Sequence, residues 1–151
     1  MIAVVQRVSK ASVTVEAEQY RAEIGPGLCV LLCAEAGDGM EQASWMAGKL
    51  ARLRIFRDDQ TPPKMNRSVQ DIAGEVLVVS QFTLAGDCRQ GNRPSFIGAA
   101  RPEEGERLYL EVCRLLREEH ELPVKTGVFA AMMDVEIHND GPVTLIVRSD
   151  K

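Results

Sequence analysis

Side chains that carry most enzyme chemistry are scarce in this sequence. Its 151 residues include two histidines, His120 and His138, and aromatic residues make up only 5%. There is no G-x-S-x-G elbow, no H-E-x-x-H, no phosphate loop and no G-x-G-x-x-G. The common signatures of serine hydrolases, zinc proteases and dinucleotide-binding proteins are therefore absent, and a Ser-His-Asp arrangement would need Ser80 or Thr83 to meet one of the two histidines in space. The four cysteines, Cys29, Cys33, Cys88 and Cys113, form no C-x-x-C, and no histidine stands at zinc-finger spacing. A structural zinc site is not expected, and no metal or cofactor is implied. No run approaches the roughly 20 apolar residues that a membrane-spanning helix requires. The opening Met1-Ile2-Ala3-Val4-Val5-Gln6-Arg7 lacks the basic start, apolar run and cleavage site of a secretory signal. The expectation is a cytoplasmic protein with no membrane partner.

What is present describes a globular chain. Hydrophobic residues are 45% and charged residues 26%, a balance that supports one domain over residues 1–151. Net charge is −4, from 18 Lys and Arg against 22 Asp and Glu, which argues mildly against a nucleic-acid partner. The average conceals a division. Residues 49–67 hold six basic residues (Lys49, Arg52, Arg54, Arg57, Lys64, Arg67) and two acidic ones, whereas residues 103–121 hold seven Glu and three Arg. On charge alone both segments read as solvated faces.

Residues 2–8 and 12–15 read as strands, and Gly25-Pro26-Gly27 as a turn before the apolar run 28–34. On that strand Cys29 and Cys33 share a face, as small buried hydrophobes. From Met40 the period becomes helical through Trp45, Met46, Leu50 and Leu53, with Asp38 as the cap. Ile55-Phe56 reads as a short strand, residues 58–66 as a loop, and residues 75–80 as a strand buried on both faces. Residues 85–101 are irregular. A second helix is predicted over 102–119, with Leu108, Val112, Leu115 and Leu116 on one face. Residues 125–137 and 143–147 read as the last two strands, joined through Asn139-Asp140-Gly141-Pro142. Short strand connections predict a largely antiparallel sheet with two main helices, an α/β chain of the α+β type.

Candidate functional residues are positional. Ser80 ends an apolar strand and is followed by Gln81, Phe82 and Thr83, which would either line a pocket or close a strand-end turn. Gly141-Pro142 reads locally as a hairpin turn. The alternative is a site of close ligand approach, where cis is also affordable. His120 reads as a surface residue, and His138 is the better placed of the two without being a strong catalytic candidate.

Ser80-Gln81-Phe82-Thr83-Leu84 and Asn139-Asp140-Gly141-Pro142-Val143-Thr144 together resemble the two signature motifs of the D-aminoacyl-tRNA deacylase family. The resemblance extends to Ile2-Ala3-Val4-Val5-Gln6-Arg7-Val8, Lys64-Met65-Asn66, Arg93-Pro94-Ser95-Phe96 and Thr126-Gly127-Val128-Phe129-Ala130-Ala131-Met132-Met133. It implies a barrel-like, strand-rich fold and a homodimer with its active site at the subunit interface. It also implies hydrolysis of D-aminoacyl-tRNA, and of glycyl-tRNA as an unwanted substrate. Ser80 to Thr83 would form the wall that receives the terminal adenosine and its ester. Gly141-Pro142, with a cis bond, would enter from the other subunit and reject L-amino acids. Arg7 would hold that loop, and the Met133 backbone would lie near the adenosine. Backbone donors near Phe82 and Thr83, helped by the ribose hydroxyl, would stabilise the oxyanion. Thr83 as a covalent nucleophile is the alternative within the same reaction. A non-catalytic RNA-binding dimer module and an ordinary esterase are the readings outside it. The tRNA would be held by a basic strip, either residues 49–67 or Arg89 and Arg93.

Overall fold

In the computed structural model, which describes residues 1–149, the sheet is organised on one long strand, β1 (Ile2–Val15). Its first half pairs antiparallel with β3 (Gly27–Cys33) and its second half with β2 (Tyr20–Ile24), on the same edge. Two crossovers then add parallel strands. The chain runs from β3 through α1 (Met40–Arg52) and the small antiparallel pair β4 (Phe56–Arg57) and β5 (Met65–Arg67) to β6 (Glu75–Ser80). From β6 it passes through α2 (Pro102–Glu118) to β7 (Val124–Thr126). β3 pairs with β6, and β6 with β7, in parallel. The sheet is nonetheless mostly antiparallel, because β8 (Asp134–Arg148) runs along the whole other edge of β1.

Two apolar clusters hold these elements. One packs Ala3, Val5, Leu28, Val30, Val76 and Val78 against the helices, whose inward residues include Met46, Leu50, Leu108, Val112 and Leu116. The other fills the concave side of the curled sheet with Val8, Ala11, Val13, Cys29, Leu77 and Val79. β6 thus contributes to both clusters, as its unbroken apolar run predicts. Cys29 and Cys33 are buried free thiols, and burial pushes the Cys29 thiol up to about 11. Among the described residues no helix is long and apolar enough to cross a membrane.

Three local expectations are corrected. Asp38 does not cap α1: Gly39 does, and the Gln42 side chain accepts the Gly39 N–H at 2.9 Å. The Asp38 carboxylate instead pairs with the Met1 ammonium at 2.8 Å and accepts the Glu35 N–H at 2.6 Å, an ionic contact that outcompetes a neutral cap. Trp45 lies outside the buried face of α1, which runs through Ala43, Met46, Ala47, Leu50 and Ala51. Its ring instead lies beneath Lys49 Nζ, 5.1 Å from the ring centre.

The largest correction concerns the C-terminal segment. β7 ends at Thr126, and residues 134–148 form one strand rather than two joined by a hairpin. Gly141-Pro142 sits inside it as a bulge. Gln6 faces Thr144 and Val8 faces Asn139, so residues 140–143 all lie opposite Arg7 alone. Gly141 has φ +127°, and the Gly141-Pro142 bond is cis. A Cβ at Gly141 would lie 2.6 Å from the Arg7 guanidinium, so only glycine fits. Arg7 is 3% exposed. Its Nε donates to the Asp140 carbonyl at 3.1 Å, with the Asp140 carboxylate 3.0 Å away, and its Nη1 donates to the Ile55 carbonyl at 2.6 Å.

These contacts predict that Arg7→Ala lowers unfolding free energy by about 2–3 kcal/mol, the scale of hydrogen bonds to a charged donor. Arg7→Lys should recover only part of it, since an ammonium lacks the planar fork. Urea unfolding measures both. An unchanged midpoint in Arg7→Ala would mean that the bulge is held by something else.

Candidate active site

β3 and β6 end side by side, and a cavity of about 620 Å³ opens just beyond their carboxyl ends. Ligand sites in sheets with parallel strands favour this position. Leu32, Cys33 and Ala34 line it from β3 and its exit, and Val79, Ser80, Gln81 and Phe82 from β6 and the turn after it. α2 contributes Pro102, Gly105 and Tyr109, and the segment before β8 contributes Phe129 through Met133.

The polar exit of β6 is locally well determined. The Gln81 N–H donates to the Leu32 carbonyl at 2.8 Å, which prolongs the β3–β6 pairing by one residue. The chain then enters a 3-10 turn over Phe82–Ala85. The N–H groups of Phe82 and Thr83 are its first donors and have no carbonyl inside the turn to pair with. The Thr83 hydroxyl accepts the Gln81 Nε2 at 2.5 Å, and Thr83 is absent from the cavity lining. The Ser80 hydroxyl has no partner among the described residues, so it does not close a strand-end turn.

Aromatic side chains shape the walls. Phe82 is 59% exposed and meets Phe96 edge-on, with ring centres 5.2 Å apart at 71°. Tyr109 is buried, donates to the Val78 carbonyl at 2.9 Å and lies 6.0 Å from Phe129, centre to centre. Met132, at 92% exposure, stands at the cavity's edge.

Charge is nearly absent. Of the residues lining the cavity, only Cys33 and Tyr109 titrate. Burial pushes the Tyr109 hydroxyl far up and raises Cys33 above its ordinary value, so both stay protonated at neutral pH. The Cys33 thiol faces the carbonyls of Ala34 and Phe82 at 3.3 and 3.5 Å, where it supports the turn as a thiol rather than acting as a thiolate nucleophile. His138 is exposed on β8, and His120 follows α2; neither lines the cavity.

The structure therefore gathers Ser80, Gln81, Phe82 and Met133 around one cavity, with Thr83 just outside it. It does not bring Arg7, Gly141 or Pro142 there within the chain: they form the separate bulge cluster, and Gly141 and Pro142 are exposed. Sequence reasoning missed Tyr109, Phe96 and Phe129. Their signal was weak: a tyrosine among the leucines of an amphipathic helix, and two phenylalanines in irregular segments. A second, more open depression of about 910 Å³ runs along residues 84–98. It is lined by Ile2, Leu84 and Ser95 from the motif segments but by none of Ser80 to Thr83, Gly141 or Pro142, and the Asp87–Arg89 ion pair occupies part of its surface.

Comparison with known proteins places the chain in a family. Residues 4–148 match the family model described as D-Tyr-tRNA(Tyr) deacylase. A D-aminoacyl-tRNA deacylase of Paracoccus denitrificans is 57% identical over 149 residues, covering 99% of this chain and 97% of its own. One from Heliobacterium modesticaldum is 58% identical over 148 residues, covering 98% and 96%. The solved structure of a c-Myc DNA Unwinding Element Binding Protein superposes with TM-score 0.90 at 41% identity, covering 100% of both chains. A structure described as "a probable eukaryotic D-amino acid tRNA deacylase" shares the fold at TM-score 0.82 and 16% identity, covering 97% of each chain. With near-complete coverage in both directions and identity well above half, this chain belongs to the D-Tyr-tRNA(Tyr) deacylase family.

Proposed function

We propose that this chain hydrolyses the ester joining a D-amino acid to the terminal adenosine of tRNA, releasing free D-amino acid and tRNA. The observation that carries this reading is the lack of a base. A cavity whose only titratable groups are a protonated thiol and a protonated phenol cannot activate water by itself. An aminoacyl ester on a ribose brings its own assistant, because the neighbouring ribose hydroxyl lies within hydrogen-bond reach of the reacting carbonyl. Water adds to the acyl carbon, the bond to the ribose oxygen breaks, and that oxygen leaves with a proton.

The protein's part is positioning. The adenosine rests on the wall from Ser80 to Phe82, beside the Met133 backbone. The Phe82 and Thr83 N–H groups point at the developing oxyanion, a contribution of roughly 3–4 kcal/mol per donor. Thr83 serves through its backbone, since its hydroxyl is engaged by Gln81 and no base adjoins it.

Handedness is decided from a second copy of the chain. Gly141-Pro142 sits in an exposed bulge that does not line its own cavity, and β8 is an edge strand with exposed Leu145 and Ile146. Such an edge favours pairing with another molecule. In the resulting homodimer the carbonyls of Gly141 and Pro142 grip the substrate's α-amino group, leaving room for a side chain in one configuration only. Rejection by exclusion discriminates where an apolar pocket cannot. Glycine has no side chain to reject, so glycyl-tRNA is also cleaved.

Incubation with D-Tyr-tRNA and L-Tyr-tRNA tests the reading directly. Ester loss should be at least about a hundredfold faster for the D form. Hydrolysis of neither would point to an RNA-binding module, equal hydrolysis would remove the chirality claim, and cleavage of small esters that lack the adenosine would indicate a general esterase.

The histidines provide a second check. His120→Ala combined with His138→Ala should leave kcat and its pH profile between about pH 6 and 8 unchanged, because no imidazole adjoins the cavity. An inflection lost with either residue would place a protein base in the mechanism.

Thr83→Ala separates the two roles offered for that residue. Its backbone N–H survives the substitution, so turnover should stay within about tenfold of the parent, well above the 10³ or greater loss expected of a missing nucleophile. A trapped acyl-Thr83 species would reverse the assignment.

A further inference from the structure

The basic segment 49–67 keeps its charge free. Its two acids are committed internally: Asp59 is bonded to Arg67, and the Asp58 carboxylate accepts the N–H groups of Gln60 and Lys64 at 3.2 and 2.9 Å. Lys49, Arg52, Arg54, Arg57 and Lys64 are all exposed, and none forms an ion pair among the described residues. The acidic helix α2 behaves differently, since Arg107 and Arg114 are both paired with glutamates. Five cations without an ion pair, of which Arg54 also feels the Asp71 carboxylate, make a local field suited to a polyanion on a chain of net charge −4.

The placement of these cations is tied to the bulge. One guanidinium, that of Arg7, joins the carbonyls of Asp140 and Ile55, and Ile55 lies between Arg54 and Arg57 in the chain. Arg54 Nε also holds the Asn66 carbonyl at 2.8 Å, which fastens β5 to the end of α1. The cationic hairpin and Gly141-Pro142 therefore form one unit, and none of that unit lines the chain's own cavity. On the cavity's own side, the first turns of α2 carry Glu103, Glu104 and Glu106, offset by Arg101 at the N-cap and by Arg107 paired with Glu104, so this stretch is near neutral and has no comparable surplus of cations.

We infer that Arg52, Arg54, Arg57 and Lys64 grip the phosphodiester backbone of an RNA whose ester is seated in the partner subunit's cavity, so that each RNA is held by one subunit and cleaved in the other. This rests on the cross-subunit reading above. The near-neutral start of α2 offers the RNA backbone no comparable grip on the subunit that cleaves it, and the cations travelling with the partner's Gly141-Pro142 receive it.

The test uses the combined variant Arg52→Gln, Arg57→Gln, Lys64→Gln, which leaves the structural Arg54 contact intact. As a homodimer it should cleave D-Tyr-adenosine ester at the parent rate. On D-Tyr-tRNA it should lose at least tenfold in kcat/KM at low salt, with a salt slope shallower by roughly 2–3, near one unit per lost phosphate contact. An unchanged kcat/KM on tRNA would overturn the inference, as would an equal loss on the adenosine ester.

Mixed dimers then decide which subunit holds the RNA. One subunit carries Ser80→Phe to block its cavity, with its loss of turnover first verified as a homodimer. The triple variant is placed on either the blocked or the open subunit. The loss on tRNA should follow the triple variant when it is on the blocked subunit. A loss seen only when it is on the open subunit would overturn the inference alone. Pro142→Ala placed the same two ways and assayed on D- and L-Tyr-adenosine esters checks the underlying reading. If it acts only from the open subunit, or if the protein is a monomer in solution, the cross-subunit reading itself fails.

Discussion

Four residues of β8 stand opposite Arg7 alone, and much of the molecule is arranged around that mismatch. Surplus backbone in a ladder leaves carbonyls without strand partners, and a guanidinium as buried as that of Arg7 is costly without acceptors. Arg7 resolves this with a rigid fork, one arm to Asp140 and the other to Ile55. A compensating irregularity follows at once: Val8 faces Asn139 and Lys10 faces His138, so Ser9 is an extra residue on β1. That extra residue changes which face the strand presents. Ala3 and Val5 pack toward the helices, whereas Ala11 and Val13, of the same parity, pack into the concave cluster. The pair of irregularities therefore projects a Gly-Pro corner outward and lets one strand serve two cores.

The cavity depends on the other half of the sheet. Antiparallel strands alone would place ends of mixed polarity together. The crossovers through α1 and α2 bring the carboxyl ends of β3 and β6 side by side, so Cys33 and Ser80 reach one place. The position rests on hydrogen bonds between backbones and on Tyr109 bonding Val78 beneath it. Side-chain chemistry is left free to be almost neutral, and the walls are thioether, phenyl and small aliphatic groups.

What was legible in the sequence follows from which features are local. β3 and β6 were visible because an unbroken apolar run needs only its own residues to be recognised, and the inner face of α2 was visible through its period. The bulge was invisible, since register belongs to two strands 130 residues apart and Gly-Pro reads locally as a turn. Arg7 has no local signature at all: in a strand pattern it is simply the polar alternate. Its role was suggested by resemblance, and its geometry required the fold. Phe96, Tyr109 and Phe129 had no such pointer, and three distant segments bring them to one cavity. Ser80 to Thr83 stood out as a largely polar exit from a buried strand, where a pocket wall and a strand-end turn were equally open locally and the resemblance favoured the wall.

A neutral pocket also bears on selectivity in the proposed mechanism. An enzyme with a strong general base confers some reactivity on any ester that drifts near it, so discrimination must come from binding alone. Where catalysis consists of orienting the ester, its ribose hydroxyl and a water against fixed N–H donors, a substrate that cannot seat receives almost no acceleration. Exclusion of the L configuration then acts on the chemical step as well as on affinity. The corollary is that anything able to seat is cleaved, whatever its side chain, because no contact in the selecting motif reads side-chain identity. In that mechanism, breadth toward D-amino acids and leakiness toward glycine would be one property, set by a filter made of main chain.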